Sequence, residues 1–301
     1  MIKCPLAYQS SRIHLTGEPN VKQWPIGVFT SIDAGLGVPL HVAKELGVDT
    51  IQIHAPKPES RSPLHVSKLL QQLNDTGIEA TAVFGGFEGE SYADIPTTAA
   101  TVGLVPIGPR EERLAEMKRI SDYARAIDCR VVALHLGYVP HDTNSADYRD
   151  IVHITQDLCR YVANHGQSLH LETGQETAPG LVQFISDVGT NNLFVNFDPA
   201  NMILYGQGDP IEALKILGSL VRSVHCKDAK WSAQPGVTWG QEVPLGAGDV
   251  GMERYLMTLK EIGYQGSLTI EREIPQEPDR QKAEIGHAVT LLEQLRAKIC
   301  G

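Results

Sequence analysis

Cysteine, positive charge and long apolar runs are all scarce in this chain, and each scarcity excludes something. No stretch approaches the roughly 18 consecutive apolar residues of a membrane-spanning helix, and the opening MIKCPLAYQSSRIHL lacks an apolar core of signal-peptide length. No membrane partner is expected. The five cysteines, Cys4, Cys129, Cys159, Cys226 and Cys300, are odd in number, widely spaced and form no C-x-x-C pair. That pattern reads as free thiols in a reducing compartment rather than as a disulfide frame, so the expected location is cytoplasmic. Lysine and arginine total 26 against 36 acids, a formal net charge of −10. A surface of that sign repels a phosphate backbone, so no nucleic-acid partner is expected. There is no low-complexity segment, and no G-x-G-x-x-G follows the first strand candidate to mark a dinucleotide-binding open sheet.

What is present is a rhythm. With 42% hydrophobic and 21% charged residues, the 301-residue chain has an ordinary globular composition and enough length for a sizeable core. Eight short β-branched runs, at 26–30, 50–55, 79–84, 130–136, 168–172, 193–198, 221–226 and 267–271, alternate with helical patterns such as PREERLAEMKRISDYARAID and DRQKAEIGHAVTLLEQLRAKI. Several helical patterns end on glycine just before the next strand, at Gly47, Gly77, Gly166, Gly218 and Gly263, the usual C-terminal cap position. Strict alternation predicts a parallel sheet, and eight strands is the number that closes a barrel. The expected fold is therefore α/β, a single (β/α)8 barrel over residues 24–301 preceded by an arm at 1–23. The strands read as mostly continuous apolar runs, as a sheet buried on both faces requires. One connection, residues 85–109, far exceeds the usual 2–6 residues of such units. It is expected on the face of the strand C-termini, as a candidate lid anchored by Phe84, Phe87 and Tyr92.

The stretch SVHCKDAK ends a buried strand on His225. A lone histidine there would be ordinary, but Glu172 ends the fifth strand, Asp198 the sixth and Glu271 the eighth, at spacings of 26, 27 and 46 residues. All strand C-termini of a barrel meet at one face, where active sites are built. Each acid alone would serve as a helix N-cap or an ion-pair partner, and Asp198 before Pro199 fits a cap well. Together they would repel one another unless a cation joined them, and His225 adds a neutral ligand. Three carboxylates and one imidazole form a hard oxygen set with one nitrogen. That set favours a single Mn²⁺, with Mg²⁺, Co²⁺ or Zn²⁺ as alternatives. Cys226, next to His225, should face the other way. His54 and His135 also end strands.

The ordered marks LETGQE, FDPANM, VHCKD, VPLGAGDVGMERYL and GYQGSLTIERE resemble the sugar isomerase/epimerase superfamily with the xylose-isomerase-like TIM barrel, over roughly residues 24–299. That superfamily includes ketose 3-epimerases, inosose dehydratases and AP endonucleases. The resemblance implies one divalent metal held by Glu172, Asp198, His225 and Glu271, with the two glutamates exchanging protons with a small-molecule sugar or polyol. Proton abstraction next to a carbonyl would give an enediolate, reprotonated to an epimer or isomer. The alternative is a lyase or dehydratase on a keto-sugar or keto-inositol, in which the enediolate expels a β-substituent. Less favoured are an AP-endonuclease-like phosphodiesterase and a non-catalytic sugar-binding barrel. The sequence departs from ketose epimerases at Asn201, where they carry histidine, at Trp231, where they carry arginine, and at Ala178, where they carry a further glutamate; Glu176 lies close by. It departs from AP endonucleases at Asn201 and in lacking an Asp-x-His pair after VHCKD. Substrate contacts are expected from His54, His135, Glu176, Asn201, Lys227 and Trp231. A homo-oligomer is left open.

Overall fold

The computed structural model describes residues 23–274 and 277–300. The expected arm falls, but for residue 23, outside the described residues. Eight parallel strands close a barrel: β1 (Ile26–Ser31), β2 (Thr50–His54), β3 (Glu79–Gly85), β4 (Val131–Leu134), β5 (Ser168–Glu172), β6 (Leu193–Phe197), β7 (Val221–Cys226) and, last in the chain, β10 (Leu268–Ile270). Each strand pairs with its sequence neighbours around the ring, and β10 closes on β1 through Ile26↔Leu268. Helices form the outer layer: α1 (Leu40–Glu45), α2 (Pro63–Thr76), α3 (Ile95–Thr101), α4 (Arg110–Ala126), α5 (Ala146–Ala163), α6 (Ala178–Val188), α7 (Pro199–Tyr205), α8 (Pro210–Leu217), α9 (Met252–Glu261) and α10 (Pro278–Cys300).

Local chemistry starts and stops these helices. Ser62, Thr177 and Asp209 each cap a helix N-terminus through a side-chain oxygen, with proline in the first turn behind them. The five glycines expected to end helices all take positive φ. Two short elements interrupt the simple alternation. Helix α7 is inserted between β6 and α8, and the connection after β7 folds into an antiparallel pair, β8 (Asp228–Lys230) with β9 (Gln241–Val243).

The core has two parts. The larger lies between sheet and helices, built from residues such as Ile51, Ile53, Leu134, Leu169, Leu171, Val195, Val224 and Ile270. The smaller fills part of the barrel interior with Phe29, Ala82, Phe84 and Ala133. Successive strand residues face opposite sides of a sheet, and this alternation is sharp in the second half of the barrel. In β5 the outer positions are Leu169 and Leu171, while Ser168, His170 and Glu172 form the other set. Hydrogen bonds that span the barrel, His170 Nδ1 to Ser223 Oγ (2.7 Å) and Gln52 Oε1 to His225 Nε2 (2.7 Å), show that this other set faces inward. The strands are thus not continuous apolar runs. Their helix-facing side is apolar, and the interior beneath the mouth from β5 to β10 is lined with polar side chains, some of which hydrogen-bond one another.

Candidate metal centre

The ends of β5, β6, β7 and β10 bring Glu172, Asp198, His225 and Glu271 together. One ligand atom from each lies within 4.8 Å of all the others, and all four residues are buried. His225 Nδ1 is the hub, 2.8 Å from Glu172 Oε1, 3.2 Å from Glu271 Oε2 and 3.6 Å from Asp198 Oδ2. Burial alone would pull this imidazole down, but Glu271 and Glu172 more than reverse that and hold it well above its usual range.

Asp198 does two things at once. It is extended (φ −107°, ψ 110°) ahead of Pro199 and caps α7, its Oδ1 accepting from the backbone N–H groups of Ala200 (2.8 Å) and Asn201 (3.0 Å). Thr173 pins its backbone on both sides, donating to the Asp198 carbonyl (3.0 Å) and accepting from its N–H (2.8 Å). The second carboxylate oxygen, Oδ2, is buried and accepts no hydrogen bond; His225 Nδ1 lies 3.6 Å from it and the Lys227 ammonium 4.0 Å.

Glu172 is held on both oxygens. Oε2 faces His135 Nε2 at 3.0 Å, and Oε1 accepts from Asn201 Nδ2 at 3.3 Å as well as facing His225. Burial would raise this carboxyl, but the two imidazoles outweigh it and keep it far below the usual carboxylate range. His135 answers in kind: burial lowers it, Glu172 raises it, and the balance lies at about 9. Its other nitrogen faces Gln175 Nε2 (3.1 Å), which also donates to the Tyr205 hydroxyl (3.2 Å). On the far side, the buried Lys227 ammonium donates to Glu271 Oε2 at 3.0 Å, with Glu273 and Glu242 at 3.5 and 4.0 Å.

Three carboxylates are buried together here, held only by Lys227 and by imidazoles that must stay protonated to balance them, a concentration of charge that folding alone does not favour. An oxygen-rich donor set with one imidazole, and a buried carboxylate oxygen lacking any donor, fits a divalent cation. These four side chains could hold one. Cys226 packs into the outer core, away from the set.

The other expected contacts divide. His135, Asn201 and Lys227 touch the cluster directly. His54 sits at the mouth end of β2, its Nε2 only 2.7 Å from where a Cβ on Gly86 would stand. Trp231 is exposed on the loop of the β8–β9 hairpin and hydrogen-bonds through its backbone to Asp249. Glu176 turns away, accepting from Val139 N–H at 2.7 Å; burial raises its carboxyl to about 7, only partly offset by that bond. Sequence reasoning missed Gln52, Asn196, Thr173 and Gln175, all of which support the cluster. The signal was available for two of them: Gln52 and Asn196 stand two residues before His54 and Asp198, so strand alternation puts each pair on one face.

The loop behind Lys227 is organised by Asp228. Its carboxylate accepts from the N–H groups of Gly246, Gly248, Ala229 and Val250 at 2.9–3.2 Å. A Cβ at position 248 would stand 2.2 Å from Asp228 Oδ1, which explains the glycine there. Elsewhere, a surface groove of about 390 Å³ between α8 and α9, lined by Asp209, Lys215, Arg254 and Met257, gathers no comparable set of buried groups.

A closed barrel of eight parallel strands with helices around it is the fold of the xylose isomerase-like TIM barrels. The model of that family matches residues 40–295, and the chain belongs to it. A solved structure, a xylose isomerase domain protein from Planctomyces limnophilus, is 58% identical, with a TM-score of 0.90 over 92% of this chain and 99% of that one. More distant structures share the fold. A D-tagatose 3-epimerase-like protein is 18% identical, TM-score 0.69, over 91% and 99% of the two chains. The probable 3-DHS dehydratase AsbF of Bacillus anthracis is 16% identical, TM-score 0.62, over 84% and 92%. An uncharacterized protein of Methanocaldococcus jannaschii is 26% identical over 163 residues, 48% of this chain and 51% of the relative. The chain thus spans about half the length of the curated relative it matches.

Proposed function

We propose that the protein is a divalent-metal-dependent sugar isomerase or epimerase. One observation carries the reading: Glu172, Asp198, His225 and Glu271 converge within 4.8 Å, and Asp198 keeps a buried oxygen without a donor. A divalent ion held by these four, Mn²⁺ on ligand chemistry, would polarise a substrate carbonyl and so acidify the adjacent C–H. The chain's own residues would handle the protons. Glu172 and Glu271 end strands three places apart around the ring, so they flank a bound sugar from different sides and serve as proton acceptor and donor. The His135–Glu172 contact keeps Glu172 ionised. Lys227 keeps Glu271 oriented and offers a proton near it. His54, Asn201 and Trp231 are assigned to substrate hydroxyls or a sugar face, and Glu176 to the outer rim. The segment 85–109 is assigned as a lid, supported by Tyr92, whose ring lies 6.0 Å from that of His135.

Incubating the Mn²⁺-loaded enzyme with ketoses in D2O tests this. An isomerase or epimerase puts solvent deuterium into a product isomeric with the substrate. Glu172→Gln and Glu271→Gln should each lower kcat by roughly 10²–10⁴, and the two should differ in which epimer still exchanges. Unimpaired turnover in both variants would sink the assignment. A second reading, a lyase or dehydratase, is favoured by the Lys227 ammonium 3.0 Å from Glu271, where an acid could assist a departing hydroxyl. It predicts loss of water rather than an isomer.

A further inference from the structure

His225 has two ring nitrogens, and only one can face the carboxylates. Nδ1 does so, which leaves Nε2 pointing down into the barrel. There it meets Gln52 Oε1 at 2.7 Å. Gln52 belongs to β2, well around the ring from β7, and its side chain reaches across the interior. Both residues are buried, with Gln52 1% and His225 0% exposed. An amide oxygen only accepts, so this contact requires the hydrogen on Nε2. The Gln52 amide is itself turned by Asn196 of β6, whose Oδ1 accepts from Gln52 Nε2 at 3.4 Å. The ring plane is fixed by Phe29 and Phe84, with centroids 5.5 and 5.2 Å from that of His225. Its backbone is fixed by Tyr255, which donates to the His225 carbonyl at 3.1 Å.

We infer that Gln52 is a positioning residue for the metal centre: by accepting from His225 Nε2–H it keeps the proton there, so that Nδ1 is the nitrogen that gives up its proton to a cation held among Glu172, Asp198 and Glu271, with Asn196 setting the amide's orientation. The inference rests on the metal-centre reading above. With the amide reversed, the Gln52 NH2 would face Nε2, the hydrogen would move to Nδ1, and the imidazole would present the carboxylates with a donor instead of a ligand. A partner that fixes a ligating histidine's tautomer typically contributes 10–100-fold in metal affinity.

The test is Mn²⁺ affinity, by calorimetric titration, of wild type, Gln52→Met and Gln52→Glu. Methionine fills the space without an acceptor, so affinity should fall roughly 10–100-fold. Glutamate restores an acceptor at the same place, so affinity should return close to the wild-type value. Packing alone would not separate the two variants in this order. Wild-type affinity in Gln52→Met would overturn the inference. If that variant does not fold, the ¹⁵N spectrum of Mg²⁺-loaded wild type decides: a protonated Nε2 with a bare Nδ1 on His225 supports it, and the opposite tautomer overturns it. A wild-type protein that binds no Mn²⁺ at all would instead remove the metal centre, and this inference with it.

Discussion

Asp198 shows how one residue can serve folding and chemistry together. Its Oδ1 caps α7 and its Oδ2 is left for the cluster. The sequence made both roles visible, since Asp-Pro at a strand end is a cap signal and the spacing to Glu172 and His225 is a barrel signal. They are not rivals, because a carboxylate has two oxygens. Asp198→Asn should separate them. The asparagine oxygen still caps the helix, so thermal stability without metal should stay near wild type. Metal affinity should fall by more than the 10–100-fold that an outer partner contributes. Calorimetric titration beside a melting curve reads both. Glu176 makes the opposite point. Its buried carboxyl is raised from 4.5 to about 7, mainly by desolvation. Between those values the folded protein binds more protons than the unfolded chain, so this group's contribution is most favourable below about pH 4.5 and is lost as pH rises through 7. Glu176→Gln keeps an acceptor for Val139 N–H and removes the charge. It should stabilise the protein at pH 8 by on the order of 1–3 kcal/mol and hardly at all at pH 5. Urea unfolding at the two pH values checks this, and equal effects at both would refute it.

The elements that the sequence left illegible are the ones whose stability comes from tertiary contact. All eight barrel strands were readable, because short apolar runs, β-branched in every strand but SLHLE, stand between helical patterns. Helix α3, at Ile95–Thr101, was not, because IPTTAAT carries three β-branched threonines and no apolar stripe. It persists because the connection around it is tied to the barrel. Arg113 donates to the carbonyls of Thr101 (2.6 Å), Gly103 (2.7 Å) and Glu88 (3.4 Å), and its guanidinium lies 5.2 Å from the Phe87 ring. Glu90 accepts from the N–H groups of Phe87 and Gly103, and Leu136 accepts from Leu104. Apart from Phe87 and Glu90, these partners lie ten or more residues apart, so the contacts are not read from local periodicity. Arg113→Met should release the segment while leaving the strands intact. Hydrogen exchange over 87–104 should then speed up by at least an order of magnitude, with core-strand amides unchanged. Unchanged exchange would show that Arg113 does not hold it. The β8–β9 hairpin escaped notice for the same reason, resting on the Asp228 carboxylate and its partners 18–22 residues on; α7 is only seven residues long and was hidden by its brevity, although its Asp-Pro cap was legible.

The barrel as a whole is divided. Inside, the wall from β1 to β4 is largely apolar, with Phe29, Ala82, Phe84 and Ala133, whereas the wall from β5 to β10 carries His170, Asn196, Ser223 and Thr269 beneath the cluster. The apolar wall packs against the face of His225, and the polar wall supports its neighbours. Three carboxylates are therefore concentrated in one buried corner of a chain whose net charge is already −10. Folding must hold that corner together with only Lys227 and the imidazoles as counter-charge, so the global stability of the protein should depend on a bound cation. A ligand at a thousand times its dissociation constant stabilises the folded state by about 4 kcal/mol. For a chain of this size that corresponds to roughly 6–8 °C in melting temperature. Saturating Mn²⁺ should therefore raise the melting temperature of chelator-treated protein by that order at pH 8. The increment should shrink as pH falls, because protons compete for the same oxygens and for His225 Nδ1, an imidazole already drawn above its ordinary range by Glu271 and Glu172. It should vanish in Asp198→Asn, which keeps the cap and the packing and lacks only the charge. Scanning fluorimetry across pH with and without Mn²⁺ measures this directly. An increment that survives Asp198→Asn, or that is the same at pH 5 and pH 8, would mean that the cation binds elsewhere and that the corner is held by Lys227 and the histidines alone.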